Sequence, residues 1–143
     1  MSISHKQRVY NELKQAGVTA YGMTKFSVRY VHNIIHANEH IMGAVYGRYK
    51  ELGGPSFNEG MLIATDKRVL FLDHKPGYTK SDELTYDVIS GISKTTAIFS
   101  AVTLRTRLGD YTLRFTNQKC AKIFTKYIEN RSIENADLFK TAS

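Results

Sequence analysis

The sequence has one cysteine, Cys120, two prolines and no tryptophan among its 143 residues. A single thiol excludes both a disulfide framework and a cysteine-based zinc site within one chain. No apolar run approaches the roughly 18 residues that span a bilayer. The N-terminus, Met1-Ser2-Ile3-Ser4-His5-Lys6-Gln7-Arg8, lacks the apolar stretch of a signal peptide. Blocks of five or six like charges are absent, and basic residues are spread from Lys6 to Lys140. There is no P-loop, dinucleotide fingerprint or nucleophile elbow. Internal repeats and low-complexity tracts are missing as well. The expectation is one soluble, cytoplasmic domain with no cofactor.

Hydrophobic residues make up 42% of the chain and aromatics 11%, which excludes a disordered polypeptide. Lys and Arg number 20 against 13 Asp and Glu, a net charge of +7. Such a balance points to anionic partners, either nucleic acid or an acidic lipid surface. The lack of tryptophan and of RNA-recognition, zinc-finger or Gly-x-x-Gly clamp signatures speaks against nucleic acid.

The first forty residues read as two helices. Val9, Leu13 and Ala16 repeat at helical spacing between Ser4 and Ala16, and Gly17 stops the run. A second stripe of Phe26, Tyr30, Val31, Ile34 and Ile35 predicts a helix from Thr24 to Ala37, capped by Thr24 or Ser27. From Ile41 the pattern changes to strands. Ile41–Tyr49 comes first, then a loop at Gly53-Gly54-Pro55-Ser56. A hairpin follows, formed by Met61–Ala64 and Val69–Leu72 around Thr65-Asp66-Lys67-Arg68. After the Pro76-Gly77 loop, further strands are expected at Glu83–Ile89, Ile92–Phe99, Val102–Leu108 and Tyr111–Phe115. Several of these strands are apolar on both faces and need a cover, either the N-terminal helices or a subunit interface.

Gly109-Asp110 reads as a two-residue type II′ turn. That turn would set Leu108 opposite Tyr111, Thr106 opposite Leu113 and Leu104 opposite Phe115 on an apolar face. The other face would carry Arg107 opposite Thr112 and Arg105 directly opposite Arg114, a like-charge pair. Lys119 and Lys122 follow on the next helix. Arg105, Arg107, Arg114, Lys119 and Lys122 are therefore the candidate anion- or lipid-binding patch. That last helix starts at Thr116 or Asn117, carries a stripe of Cys120, Ala121, Phe124, Tyr127 and Ile128, and ends near Asn130–Ser132. Cys120 on this stripe reads as a small buried hydrophobe.

Three stretches together resemble the bacterial pleckstrin-homology-like (PH-like) domain family over residues 37–131. They are His36-Ala37-Asn38-Glu39-His40-Ile41, Gly60–Leu72 with its Thr65-Asp66-Lys67-Arg68 hairpin, and Leu84–Ile92. The resemblance implies a mainly β fold: a bent seven-stranded barrel capped by a C-terminal helix. Residues 1–38 would form a two-helix extension, 39–131 the barrel with its helix, and 132–143 a tail. Phosphoinositide-binding relatives place a spaced Lys, then Arg-x-Arg, after the first strand. Here that region holds Arg48, Lys50, Glu51, Gly53 and Gly54, and the pattern is missing.

The segment His36-Ala37-Asn38-Glu39-His40 matches His-x-x-Glu-His, with His32 extending the four-residue spacing on a helix. A zinc hydrolase built on His36, Glu39 and His40 is the remote reading. Exposed histidines at a helix-to-strand junction are the plain one, with no metal and no catalytic residue. Asp66, Asp73, Asp82, Glu83 and Asp87 are single carboxylates near turns that nothing pairs for acid–base work. The expected function is a non-enzymatic binding or assembly module, acting on a protein partner or by self-association. The alternative is peripheral attachment to an anionic surface at the inner membrane face through the basic patch.

Overall fold

The computed structural model describes residues 3–18, 24–50, 57–95 and 100–142. Helix α1 spans His5–Gln15. Ser4 caps it by accepting a hydrogen bond from the Gln7 amide at 3.1 Å, and Gly17 ends it in the left-handed region at φ 91°. Val9, Leu13 and Ala16 are buried, as their spacing predicts. Helix α2 spans Thr24–Tyr30 and tightens into a 3-10 turn at Val31–Asn33, short of the expected Ala37. The His36 amide, which a continuing helix would turn back onto the His32 carbonyl, donates instead to Glu39 Oε1 at 3.1 Å, and His5 Nε2 lies 3.0 Å from that carbonyl. Arg68 donates to the Ile34 carbonyl at 2.8 Å, and Arg8 donates to those of His36 and Ala37.

Seven antiparallel strands follow. They are β1 Ile41–Lys50, β2 Phe57–Thr65, β3 Val69–Lys75, β4 Tyr78–Leu84, β5 Ile89–Thr95, β6 Ala101–Thr106 and β7 Gly109–Arg114. Their order is β4-β3-β2-β1-β7-β6-β5. Among the described residues one register pair, Arg48 with Arg114, joins the β1–β4 half to the β5–β7 half. No pair among the described residues joins β4 to β5, so the bent barrel keeps a seam there. Helix α3, Gln118–Ala142, plugs it with Cys120, Ala121, Phe124 and Ile128, all fully buried. Asn117 is its N-cap, accepting from the Lys119 and Cys120 amides at 2.9 and 3.2 Å.

The two apolar faces of β1–β3 both find cover. Val45, Leu62 and Phe71 stand in one cross-strand row and line the barrel interior; Ala44, Ile63 and Leu70 form the row on the opposite face. All six are buried. The outer row lies under the N-terminal helices, on the face that His74 shares. There the Ser27 hydroxyl accepts from the His74 amide at 3.0 Å, and the Tyr30 ring stacks on the His74 imidazole at 4.0 Å. Of the two covers the sequence allows, this chain supplies its own helices.

Three expectations are corrected. The strand placed at Glu83–Ile89 is split: β4 runs earlier, over Tyr78–Leu84, and Tyr86–Val88 form a 3-10 turn. That turn buries Tyr86, whose hydroxyl donates to the Thr65 carbonyl. The β6–β7 turn is Arg107-Leu108, two residues earlier than Gly109-Asp110. Thr106 organises it, accepting from the Leu108 amide at 3.1 Å and donating to the Gly109 carbonyl at 2.5 Å. A shift by an even number keeps the same residues facing inward. Leu104 and Leu113 therefore stay buried, Leu104 now opposite Tyr111, while Leu108 at the turn is 80% exposed. The third concerns α3, which continues helical to Ala142 rather than ending near Ser132. The Gly53–Ser56 loop and the stretch Thr96–Phe99 lie outside the described residues, as does the side chain of the candidate cap Thr24.

The two halves of the barrel meet most closely at Gly47. A Cβ there would sit 2.6 Å from the Arg114 carbonyl oxygen and 3.1 Å from Leu113 Cβ. Gly47→Ala is expected to force β1 from β7 and to lower the unfolding free energy by roughly 1–3 kcal/mol, read as a fall in the urea midpoint.

Candidate functional site

The His36–His40 segment does not form a metal-type constellation. Its carboxylate is fully buried and spoken for. Glu39 Oε2 accepts from Arg68 Nε at 2.8 Å and from the Thr65 hydroxyl at 2.6 Å. Glu39 Oε1 accepts from Arg68 Nη2 at 2.9 Å and from the His36 amide at 3.1 Å. Burial alone would raise the Glu39 pKa, but the Arg68 and Thr65 hydrogen bonds, the His36 amide and the Arg68 charge together hold it at about 2. With every acceptor position engaged, Glu39 has no lone pair poised for a water or a metal. His36 and His40 are both more than half exposed at the side chain, and His40 Nδ1 lies 2.9 Å from Glu12 Oε2. His32 sits in the 3-10 turn, so the four-residue histidine face has no helix to build it. Among the described residues no three His, Cys, Asp or Glu side chains form a metal-binding group.

A second layer ties α1 to the same junction. Glu12 Oε1 accepts from the Ile41 amide at 2.8 Å, and Arg8 Nη1 donates to the Glu39 carbonyl at 2.9 Å. The chain entering β1, the β2–β3 turn and α1 are thus bound to one cluster. Cys120 is likewise structural: desolvation pushes its thiol up to about 11, well away from a reactive thiolate.

The concave surface lies elsewhere, where β1 and β7 part. Among the described residues no ladder pair joins the two strands beyond Arg48–Arg114. A cleft of about 580 Å³ opens there, lined by Tyr49, Lys50, Phe71, Lys80 and residues 110–114. Its floor is aromatic. The Phe71 ring meets Tyr49 edge-on at 5.0 Å and Tyr111 at 5.4 Å. The Lys80 ammonium lies over both the Tyr49 and Phe71 rings, 5.9 and 5.8 Å from their centroids. Tyr49 donates its hydroxyl to the buried Asp73, and Tyr111 donates to Asp82 at 2.9 Å. Desolvation and that Asp82 contact push the Tyr111 phenol up to about 12, so it stays a neutral donor. Sequence patterning missed this site because its residues come from four strands. The signal that could have found it is the inward parity shared by Tyr49, Phe71 and Tyr111.

The profile of the bacterial PH domain family matches residues 35–130 of this chain. The chain belongs to that family. Two solved structures are similar to this bacterial PH domain. One is the crystal structure of a DUF1696 family protein with a pleckstrin-homology domain from Shewanella loihica PV-4. It is 16% identical, covers 77% of this chain and 96% of its own, and superposes with a TM-score of 0.48. The other is the C-terminal domain of an unknown protein from Leishmania infantum, 21% identical, covering 65% of this chain and 84% of its own, with a TM-score of 0.46. No curated protein gives a significant match. No helix among the described residues of this bacterial PH domain is long and apolar enough to cross a membrane.

The PH fold scatters the expected basic patch. Arg105 faces Asp110 rather than Arg114, and its side chain lies over Gly91 of β5. Arg114 faces Ala101, four residues along β6 from Arg105, so the two are roughly 13 Å apart along the hairpin. Arg107 at the turn donates to the Asp87 carbonyl at 2.9 Å and lies 3.7 Å from its carboxylate. Lys119 and Lys122 are exposed on the first turns of α3, and the Lys119 stem runs past Gly17. The expected Arg105–Arg114 pair does not form; the residue across from Arg114 on β1 is Arg48.

Because folding lowers the Glu39 pKa, its contribution is complete above the unfolded value near 4.3 and fades as pH falls toward about 2. It amounts to about 3 kcal/mol. Urea unfolding across this window should show that loss in the wild type and a flatter profile in Glu39→Gln. At pH 7 Glu39→Gln and Arg68→Met should each destabilise by roughly 3 kcal/mol, and the double variant by much less than the sum.

Proposed function

We propose that this bacterial PH domain is a non-enzymatic protein-binding module. Its ligand is an extended segment of a partner protein, taken in the cleft between β1 and β7. The observation that carries this reading is the divergence of the two strands after Arg48–Arg114, over a floor of Tyr49, Phe71 and Tyr111. An extended peptide adds main-chain hydrogen bonds along a strand edge, and alternate side chains enter pockets. The aromatic floor takes an apolar side chain, and the Lys50, Lys80 and Arg114 rim favours an acidic neighbour over a basic one.

The non-enzymatic reading is supported by the Tyr111 phenol, which stays protonated at neutral pH, and by the nearby Asp73 and Asp82 carboxylates, which accept tyrosine hydroxyls. Self-association through a bare sheet face loses its rationale, because α1 and α2 already bury the outer row of β1–β3. Membrane attachment through Arg105, Arg107 and Arg114 is disfavoured by their separation and by the Arg107–Asp87 contact.

Panning a random heptapeptide display library on the full chain tests the reading. Extended sequences pairing an apolar with an acidic residue should enrich, and a synthetic copy should bind in the micromolar range. Lys80→Glu together with Lys50→Glu should weaken that peptide at least tenfold. Failure to enrich any peptide, or enriched peptides indifferent to both substitutions, overturns the proposal. Co-sedimentation of the free chain with anionic liposomes, lost on Arg105→Glu, would do so in favour of the membrane.

A further inference from the structure

Arg48 and Arg114 occupy directly opposed positions on β1 and β7, in the one pair that joins the two halves of the barrel. Like charges in such positions repel and cost stability. Arg8, Arg68 and Arg107 each have a carboxylate within ion-pair distance. Among the described residues Arg48 and Arg114 have none. Glu59 is the cross-strand neighbour of Arg48 on its other side, and Ala101 is that of Arg114. Arg105 and Asp110 follow further along the hairpin.

The next residue is strained. Phe115 has φ 58°, the single non-glycine positive φ among the described residues, and its ring is 48% exposed. A bulky residue pays for that conformation, and an exposed ring recovers little by burial. The chain is pinned just beyond it. The Thr116 amide donates to the Ser100 carbonyl at 3.0 Å, and the Ser100 and Thr116 hydroxyls are 2.7 Å apart. What the strained geometry achieves is to set the Phe115 ring against the Arg48 guanidinium, 5.4 Å from the ring centroid. The guanidinium of Arg48, the residue directly across the strand pair from Arg114, is thereby oriented.

We propose that Arg48, Arg114 and Phe115 form an anion site on the outer face of the β1–β7 junction, built for the dianion of a phosphate group. Two guanidinium planes offer paired N–H donors that match a tetrahedral oxyanion, and its double negative charge relieves their repulsion. Phe115 is a positioning residue that acts through Arg48. The site shares Arg114 with the peptide cleft, whereas Arg48 does not line that cleft.

The test is an NMR titration of the arginine Nε–Hε signals of the full chain with inorganic phosphate at pH 8, at constant ionic strength made up with chloride. Saturable shifts confined to Arg48 and Arg114 are expected, and Arg48→Gln should weaken phosphate about tenfold. Two stability measurements separate this from a structural role. Arg114→Gln should unfold at the same or a higher urea concentration than wild type, because it removes repulsion. Phe115→Gly should relieve the strained φ and hold stability while weakening phosphate severalfold.

The source of the phosphate is read from vesicles of phosphatidylcholine with and without 20% phosphatidic acid. Binding selective for phosphatidic acid and lost in Arg48→Gln supports the site with a lipid headgroup as its source. Phosphate saturation without vesicle binding supports it with a soluble phosphate. Shifts no different from those of chloride, or a loss of stability in Arg114→Gln, overturn the proposal. Peptide binding in the cleft that survives Arg48→Gln shows that the two sites fail or stand independently.

Discussion

The buried Glu39–Arg68 ion pair is the constraint on which the rest of the fold hangs. Two hydrogen bonds join the charges, and Thr65 and the His36 amide take up the remaining acceptor capacity. Desolvating two charges is costly, and a full set of partners is what makes the arrangement tolerable. The pair fastens the end of the helical extension to the β2–β3 turn. Arg8 and Glu12 bring α1 to the same point. On the far side the Tyr86 hydroxyl reaches the Thr65 carbonyl, and Arg131 of α3 lies over the Tyr86 ring at 4.3 Å. Extension, barrel and capping helix are therefore linked through a few buried polar groups.

Much of this was legible in the sequence, for reasons that differ by element. α1 announced itself through Ser4, Gly17 and a helical stripe. The β2–β3 hairpin did so through two apolar runs around Thr65–Arg68, and α3 through the stripe from Cys120 to Ile128. Each signal is local. β4 was missed because Tyr78–Glu83 is a mostly polar edge strand, with one face in water and one edge unpaired. The end of α2 was missed because the His36 amide and the His32 carbonyl, which would pair in a longer helix, bond instead to the side chains of Glu39 and His5. The β6–β7 turn followed Thr106 rather than the glycine, since a side chain that bonds both sides of a turn outweighs a permissive backbone. Parity survived that slip and the cross-strand partners did not, which is why the core was readable and the arginine patch was not. The parting of β1 from β7 beyond Arg48–Arg114 arises only in the folded barrel, and no single stretch of sequence encodes it.

The PH scaffold fixes little about function, since such folds serve many ligands. What distinguishes this chain is where its scaffold is closed and where it is open. α3 plugs the interior, α1 and α2 occupy the outer face of β1–β3, and Tyr111 and Asp82 latch β7 to β4 across the barrel. The β1–β7 divergence keeps aromatic rings, strand edges and cations within reach of one another. At the same junction Gly47, next to the Arg48–Arg114 pair, leaves no room for a Cβ beside the Arg114 carbonyl. Close packing and repulsion thus meet at the one pair that joins the two halves.

The helical cover has a bearing on what counts as the heritable module. Family likeness begins at residue 35, yet Ala44, Ile63 and Leu70 are buried on the face that α1 and α2 cover. A chain trimmed to the recognisable motif would keep its ancestry and expose a greasy sheet. The stretch that matches the family and the set of residues that bury this sheet therefore differ in extent. The difference is carried by two helices that the family pattern does not include.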